Sequence, residues 1–401
     1  MLLQALALIA FITILIVRHG PPTGGDTPSI TAPSAALAHG QLNRAATAAV
    51  LPSPPGYIVL AAAVTVAFRP LVGAPTWCKP APGEAVGCEA TALPPWYRSQ
   101  AAIAVLAWVV MVLGAISLLR GAGIEPGWPE VGLSWVLAIL PAASNSIVQL
   151  FHPQDLLCLG LGLVALAEVL RRRWVTAGLL FGLALVTKQF ALLILIPSLA
   201  AVPTWRDRGR LLAAATAVAA AVVAPFFVVA PRRTFDDLLG IGTAGAVRGA
   251  TVVGRLNVSS GVESAMARGV PIGFAVVLLV WALRRARVVA LSPVQVIGLT
   301  LACLAGRLVF ESVIIPYYLL ATSVVLVVLD LAGRRLPSRS LAWIACSAAF
   351  VAIDPRSAWL DAAVTFALAL VAVVVGLHDV RIGGPDATMP ELDLTPISRT
   401  A

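Results

Sequence analysis

Apolar runs of about twenty residues, repeated along nearly the whole 401-residue chain, constrain this sequence more than any motif in it. A helix of ~20 apolar residues covers the ~30 Å of bilayer hydrocarbon. Lipid offers no partner to backbone N–H and C=O groups, so only helices or a closed barrel can cross it. The alternation of apolar and polar residues in ~10-residue segments that marks a barrel does not occur. Charged residues make up 12% of the chain, about half the ~25% typical of a soluble domain. The expectation is an all-α, polytopic integral membrane protein with about 10–13 transmembrane helices and a long first extracytoplasmic loop.

Apolar stretches lie near 2–17, 57–75, 100–119, 131–150, 155–170, 175–187, 190–204, 211–230, 264–283, 289–306, 312–331, 340–353 and 359–377. A formal charge of +9 would suggest nucleic acid in a soluble protein. Here the basic residues form short clusters between apolar runs: Arg171 to Arg173, Arg206 to Arg210, Arg284 to Arg287 and Arg334 to Arg339. That is the positive-inside pattern of cytoplasmic loops, read as solvated anchors. If 175–187 and 190–204 form a hairpin of short helices, all four clusters share the cytoplasmic side. The opposite side then receives His152 to Asp155, Lys188-Gln189, residues 231–261, Arg307 to Glu311 and residues 354–359. The N-terminal third breaks this bookkeeping, because three full spans between 57 and 150 would put Asp26 on the face opposite His152 and Asp155. One of them, first of all 57–75 with its internal Arg69-Pro70, is therefore expected to be short, interfacial or re-entrant.

Met1 to Val17 has neither a basic n-region nor a small-residue cleavage site, and reads as a retained helix tethering the polar loop 18–56. Cys78 and Cys88 are either a disulfide or two free thiols, whereas Cys158, Cys303 and Cys346 sit in apolar runs as small core residues. No internal repeat, Walker-type loop or zinc-like Cys/His spacing is present. Residues 379–401 form a polar tail expected to be disordered, which leaves 1–378 as one transmembrane domain.

Several polar residues are costly where they stand. Lysine occurs only at Lys79 and Lys188, and Lys188 interrupts an apolar run, where snorkelling is the alternative to a functional role. Asp26, in the turn-rich Gly24-Gly-Asp-Thr-Pro28, is either a turn or cap residue or a reactive acid at a membrane surface. His39 and Gln41 serve equally as surface residues or as groups orienting hydroxyls. Arg307 and Glu311, four apart, share a helix face and can pair, with Tyr317 and Tyr318 offering stacking surface or interfacial anchoring. His152 and Asp155 open a span, and Asp155 there either caps the helix or binds a sugar. The stretch 231–261, with Arg232, Arg233, Arg248, Arg255 and several glycines, fits a substrate-gated loop.

The order of these features resembles the GT-C superfamily of membrane glycosyltransferases. The resemblance is carried by the loop acid Asp26, the small-residue stretch Ala36 to Gly40, Pro52-Ser-Pro-Pro-Gly-Tyr57 opening an apolar run, and the basic turn Arg171-Arg-Arg173 leading through a small-residue helix to Lys188-Gln189. With His152 to Pro197 and Arg307, Glu311, Tyr317 and Tyr318 added, the chain is most similar to the bacterial polyprenyl-phosphate-mannose-dependent mannosyltransferases. It departs from their pattern in having no second acid after Asp26, which bears on any divalent cation.

The resemblance implies a multi-pass protein of the bacterial cytoplasmic membrane with its site on the extracytoplasmic face. The donor is a polyprenyl-phosphate sugar, the acceptor a glycolipid, glycan or protein, and nucleic acid is no partner. Phosphate is already a good leaving group, so the chemistry needs a base for the acceptor hydroxyl and cations for the phosphate. Asp26 is the expected base of a single inverting displacement. Lys188, Arg307, Arg232, Arg233 and Arg255 are the expected phosphate ligands, and His39, Gln41, His152, Asp155, Gln189, Glu311, Tyr317 and Tyr318 the substrate contacts. The alternative is a transporter or flippase of lipid-linked sugars, which would carry a cationic cavity without a reaction but is commonly built from inverted repeats.

Overall fold

The computed structural model describes residues 2–19, 26–47, 55–72, 94–125, 127–149, 151–239, 260–286, 290–311, 316–353 and 358–382. Every regular element among them is helical. The first seven helices are α1 (Leu2–His19), α2 (Asp26–Ala38), α3 (Leu42–Thr47), α4 (Pro55–Val72), α5 (Pro94–Gly121), α6 (Trp128–Ala138) and α7 (Pro141–Ser144). Then come α8 (Pro153–Leu170), α9 (Trp174–Thr187), α10 (Leu192–Ser198), α11 (Trp205–Val229) and α12 (Pro231–Leu239). The chain closes with α13 (Ser260–Ala286), α14 (Pro293–Phe310), α15 (Leu320–Ala332), α16 (Ser338–Ile353) and α17 (Ala358–Ile382). Proline stands in the first turn of α6, α7, α8 and α14, where its fixed φ and missing N–H suit a helix start. At α14 Ser292 and Gln295 add a reciprocal capping box.

Among the described residues six helices are long and apolar enough to cross a membrane: Ala101–Gly121, Pro153–Leu170, Trp205–Val229, Ala265–Ala286, Pro293–Phe310 and Ala362–Arg381. Five shorter apolar helices accompany them, and one further pair, Trp128–Ala138 with Pro141–Val148, is bent by 46°. The polytopic helical class expected from the apolar runs is the class observed. Segment 57–75 falls on α4 (Pro55–Val72), and residues 73–75 lie outside the described residues. The bend at Leu140-Pro141 interrupts the apolar stretch 131–150, which is not one continuous helix.

Backbone contact holds the centre together. A Cβ built on Gly160 would lie 2.6 Å from Val110 O and Met111 N, so α5 and α8 touch main chain to main chain. The same holds for Gly182 against Ala215 O (2.6 Å) and Gly298 against Gly376 O (2.7 Å). Lipid tails are as apolar as leucine, so such close packing is what drives helices together in a bilayer. The α8 span is 83% buried and that of α11 only 11%, which makes α8 the central rod and α11 an outer helix.

The end of the bundle bearing Arg334 to Arg339 is more than a row of solvated anchors. Arg335 Nη1 donates to Asp379 Oδ1 at 2.6 Å, Arg339 Nη2 to Asp379 Oδ2 at 3.0 Å and Arg339 Nε to Asp330 Oδ1 at 2.7 Å. Both carboxylates are buried, so these arginines clamp α15, α16 and α17. Arg171 and Arg173 likewise pair with buried Glu168. A second correction concerns Cys346, which is exposed on α16, while Cys158 and Cys303 are buried as expected. Cys78, Cys88 and the tail from residue 383 lie outside the described residues.

Candidate functional site

Three separated stretches of chain meet at the end of the bundle away from those arginines. The first is the start of α8. Phe151 takes a φ of 55°, a left-handed conformation that costs a bulky residue roughly 1–2 kcal/mol. Two hydrogen bonds hold the turn: His152 N–H donates to Ser146 O at 2.6 Å and Ser146 Oγ donates to His152 O at 3.0 Å. Gln154 Nε2 lies 2.8 Å from His152 Nδ1. Asp155 follows in the first turn and is not the cap, a position that falls to His152.

The second stretch is the break between α9 and α10. Lys188 leaves the helix in an extended conformation, φ −162° and ψ 141°, and a 3₁₀ turn, Gln189–Ala191, restarts it. The break frees Lys188 to face α8, where Nζ lies 3.4 Å from Asp155 Oδ2. Asp155 Oδ2 is also 3.7 Å from His152 Nδ1. Cys158, one turn further along α8, donates its thiol to Lys188 O at 3.3 Å, so both the side chain and the backbone of the break are tied to α8.

The third is the end of α14. Arg307 Nε and Glu311 Oε1 form a close ion pair, as the spacing of four predicts. Glu311 terminates the helix with extended ψ, yet its N–H still reaches Arg307 O at 3.1 Å. The Arg307 guanidinium lies 5.0 Å from the Tyr318 ring centroid and 5.5 Å from that of Phe190, contacts of about 0.5–2 kcal/mol each. Arg268 of α13 completes the group, with Nη1 3.3 Å from Glu311 Oε1. Phe190, two residues after Lys188, lies against the Arg307 guanidinium, so the two ion-paired groups meet at one end of the bundle. Asp155 and Glu311 are only 4% and 2% exposed, which makes this a set of charges withdrawn from water.

Of the residues singled out from the sequence, the fold brings Lys188, Asp155, His152, Arg307, Glu311 and Tyr318 together. Gln189 sits beside them and donates Nε2 to Leu238 O at 2.8 Å, tying α12 to the break. Arg232 and Arg233 lie on α12, the first exposed and the second half-buried. Arg255, Arg248 and the side chain of Tyr317 lie outside the described residues. The sequence reading missed Arg268, Gln154 and Phe190. Arg268 carried the same signal as Lys188, a single cation within an apolar run, but stood near the start of its span where an anchoring role is ordinary.

The first connector is drawn to the same end. Gly56, at the start of α4, is so close to Val186 that a Cβ there would lie 2.7 Å from Val186 O, two residues before Lys188. Ala36 of α2, Ala45 and Ala46 of α3, Ile58 of α4 and Phe226 of α11 form one buried cluster. The C-terminal part of α2 therefore lies beside the Lys188 end of the bundle, not opposite it as a count of full spans suggested. His39 and Gln41 are exposed at the turn that follows, where Gly40 adopts a φ of 74°. Asp26 is the first residue of α2, and its side chain lies outside the described residues. Among the described residues no three His, Cys, Asp or Glu side chains converge to hold a metal ion.

No curated protein matches the chain. A protein-family model does match, that of glycosyltransferase family 87, over residues 82–310. The matched region runs from before α5 to the last residue of α14 and so takes in Asp155, Lys188, Arg268 and Arg307. It covers more than half of the sequence, and with the six apolar spans it makes the protein a membrane glycosyltransferase belonging to glycosyltransferase family 87.

Proposed function

We propose that the protein transfers a mannosyl group, with inversion, from a polyprenyl-phosphate donor to a glycolipid, glycan or protein acceptor on the extracytoplasmic face of a bacterial plasma membrane. One observation carries this reading: among the described residues the cluster sets three cations, Lys188, Arg268 and Arg307, against two carboxylates, Asp155 and Glu311. Buried charge is expensive, and an excess of one positive charge at the end of a lipid-embedded bundle suits an anionic headgroup whose chain remains in the bilayer. A monoanionic or dianionic lipid phosphate is such a group.

In this mechanism Lys188 supplies a point charge to the phosphate and Arg307 a planar fork. Glu311 holds that fork by Nε, and Tyr318 and Phe190 fix its plane. Asp155 and His152 keep Lys188 oriented and dry. As the anomeric carbon–phosphate oxygen bond breaks, the leaving electrons go to a phosphate already neutralised by these cations. The acceptor hydroxyl forms the new bond from the opposite face, and Asp26 takes its proton. One carboxylate suffices, because no covalent sugar–enzyme intermediate has to form. Of the stretch 231–261 expected to form a substrate-gated loop, α12 is tied to the break through Gln189 and residues 240–259 lie outside the described residues.

The test is transfer of radiolabelled mannose from polyprenyl-phosphate mannose to a membrane acceptor extract by purified protein in detergent, comparing wild type with Asp26→Asn. Loss of transfer by about 10²- to 10⁴-fold with donor binding kept is expected of a general base. Retained turnover in the variant removes Asp26 from that role. Donor binding by wild type with no transfer would favour carriage of the lipid-linked sugar.

A further inference from the structure

One buried carboxylate at this end of the molecule is used by nothing described so far. Glu263, in the first turn of α13, is 3% exposed. Its Oε1 is fully buried and has no hydrogen-bond partner among the described residues. A helix N-terminus favours an acid in its first turn, but that favour extends equally to a solvated side chain and does not account for burial. An unpartnered buried oxygen costs about 1–3 kcal/mol, a cost that is recovered if a ligand supplies the missing donor.

The register of α13 fixes where that oxygen stands. Phe274 packs on Gly306 and Arg268 reaches Glu311, so α13 and α14 run antiparallel with Arg268 level with the end of α14. Glu263 lies five residues further toward the N-terminus, about 7.5 Å of helical rise beyond Arg268. It shares the buried stripe of Ala267, Ala275, Leu278 and Ala282, and α13 packs against α14 and α10. α14 carries Arg307, and α10 follows directly on the turn that holds Phe190 and the break at Lys188. The carboxylate therefore occupies a layer just outward of the cations, at the end of α13 opposite Arg284 and Arg285.

We propose that Glu263 is a specificity residue that accepts hydrogen bonds from hydroxyls of the donor's sugar. The inference rests on the reading of Lys188 and Arg307 as phosphate ligands. With the prenyl chain directed into the bilayer and the phosphate on the cations, the sugar projects outward by about the width of one pyranose ring, into the layer of Glu263. A carboxylate is the side chain best suited to accept from sugar hydroxyls, because it has acceptor capacity only, and a buried one rejects ligands that lack the donor.

The experiment measures binding of polyprenyl phosphate and of polyprenyl-phosphate mannose to purified wild type, Glu263→Gln and Lys188→Met in detergent. Glu263→Gln should bind the sugar-free lipid as wild type does and bind the mannosylated lipid about ten- to hundredfold more weakly. In transfer assays the variant should show that loss chiefly in KM for the donor. Glu263→Asp, which keeps the charge but withdraws it by one methylene, should fall between the two and guards against a mere folding defect. An unchanged ratio of the two affinities in both variants overturns the assignment of Glu263 alone. If Lys188→Met leaves binding of the sugar-free lipid intact, the phosphate site itself is misassigned and the inference falls with it.

Discussion

Lys188 Nζ lies 3.4 Å from Asp155 Oδ2, joining the break after α9 to the first turn of α8 across thirty-three residues of sequence. Each charge is acceptable in its apolar surroundings because the other is there. The pair also sets the position of the helix break relative to the central rod of the bundle.

Removing one partner should therefore be worse for the fold than removing both. Lys188→Met strands Asp155 and is expected to cost about 3 kcal/mol, whereas the double variant Lys188→Met with Asp155→Asn should regain most of it. Neither should regain transfer. Thermal unfolding in detergent, read beside the radiolabel assay, checks this; a double variant that recovers activity would make the lysine structural only.

Arg307→Lys keeps the charge and loses the planar fork that stacks between Phe190 and Tyr318. A fall of tenfold or more in kcat/KM for the donor, equivalent to about 1.4 kcal/mol, is expected with little change in unfolding temperature. Steady-state kinetics with varied donor decides it, and wild-type kinetics would show that charge alone is required there.

Gly160→Leu places a side chain where Val110 and Met111 backbone atoms stand at 2.6 Å from a built Cβ. Separation of α5 from α8 should cost about 1–3 kcal/mol and shift Asp155, five residues along α8, away from Lys188. Unfolding temperature and transfer rate should fall together, in contrast to the Arg307→Lys outcome.

At the other end of the bundle, Arg339→Met leaves Asp330 without its guanidinium partner. A loss of stability of about 3 kcal/mol is expected, with KM for the donor unchanged in the protein that remains folded. Measured donor KM in this variant separates effects of the site from effects of general destabilisation.

The helical membrane class was legible because it follows from a one-dimensional quantity, the length of apolar runs, measured against the thickness of a bilayer. Lys188 and Arg307 were legible for the same reason, since a charge within such a run is conspicuous. The Arg307–Glu311 pair was legible because a spacing of four puts two side chains on one helical face. Arg268 was not, although it pairs with the same Glu311, because nothing in a sequence says that α13 and α14 lie antiparallel with those two residues level. Glu263 was illegible on the same ground, and in addition its burial depends on neighbours that no local pattern reveals.

The sequence by itself determined that this chain crosses a membrane as helices, where its basic clusters fall, and which charges are out of place among apolar residues, because each of these depends on residues near one another in the chain. Only the tertiary structure decided that the first connector's α2 and α3 pack beside the Lys188 end, that Arg335 and Arg339 are clamped to buried aspartates, and that the Asp155–Lys188 pair and the Arg268–Glu311–Arg307 group meet at one end of the bundle. Those facts depend on which helices touch and in what register, and contact across the bundle is set by backbone-close glycine crossings such as Gly160 on α5, whose partners lie far away in sequence.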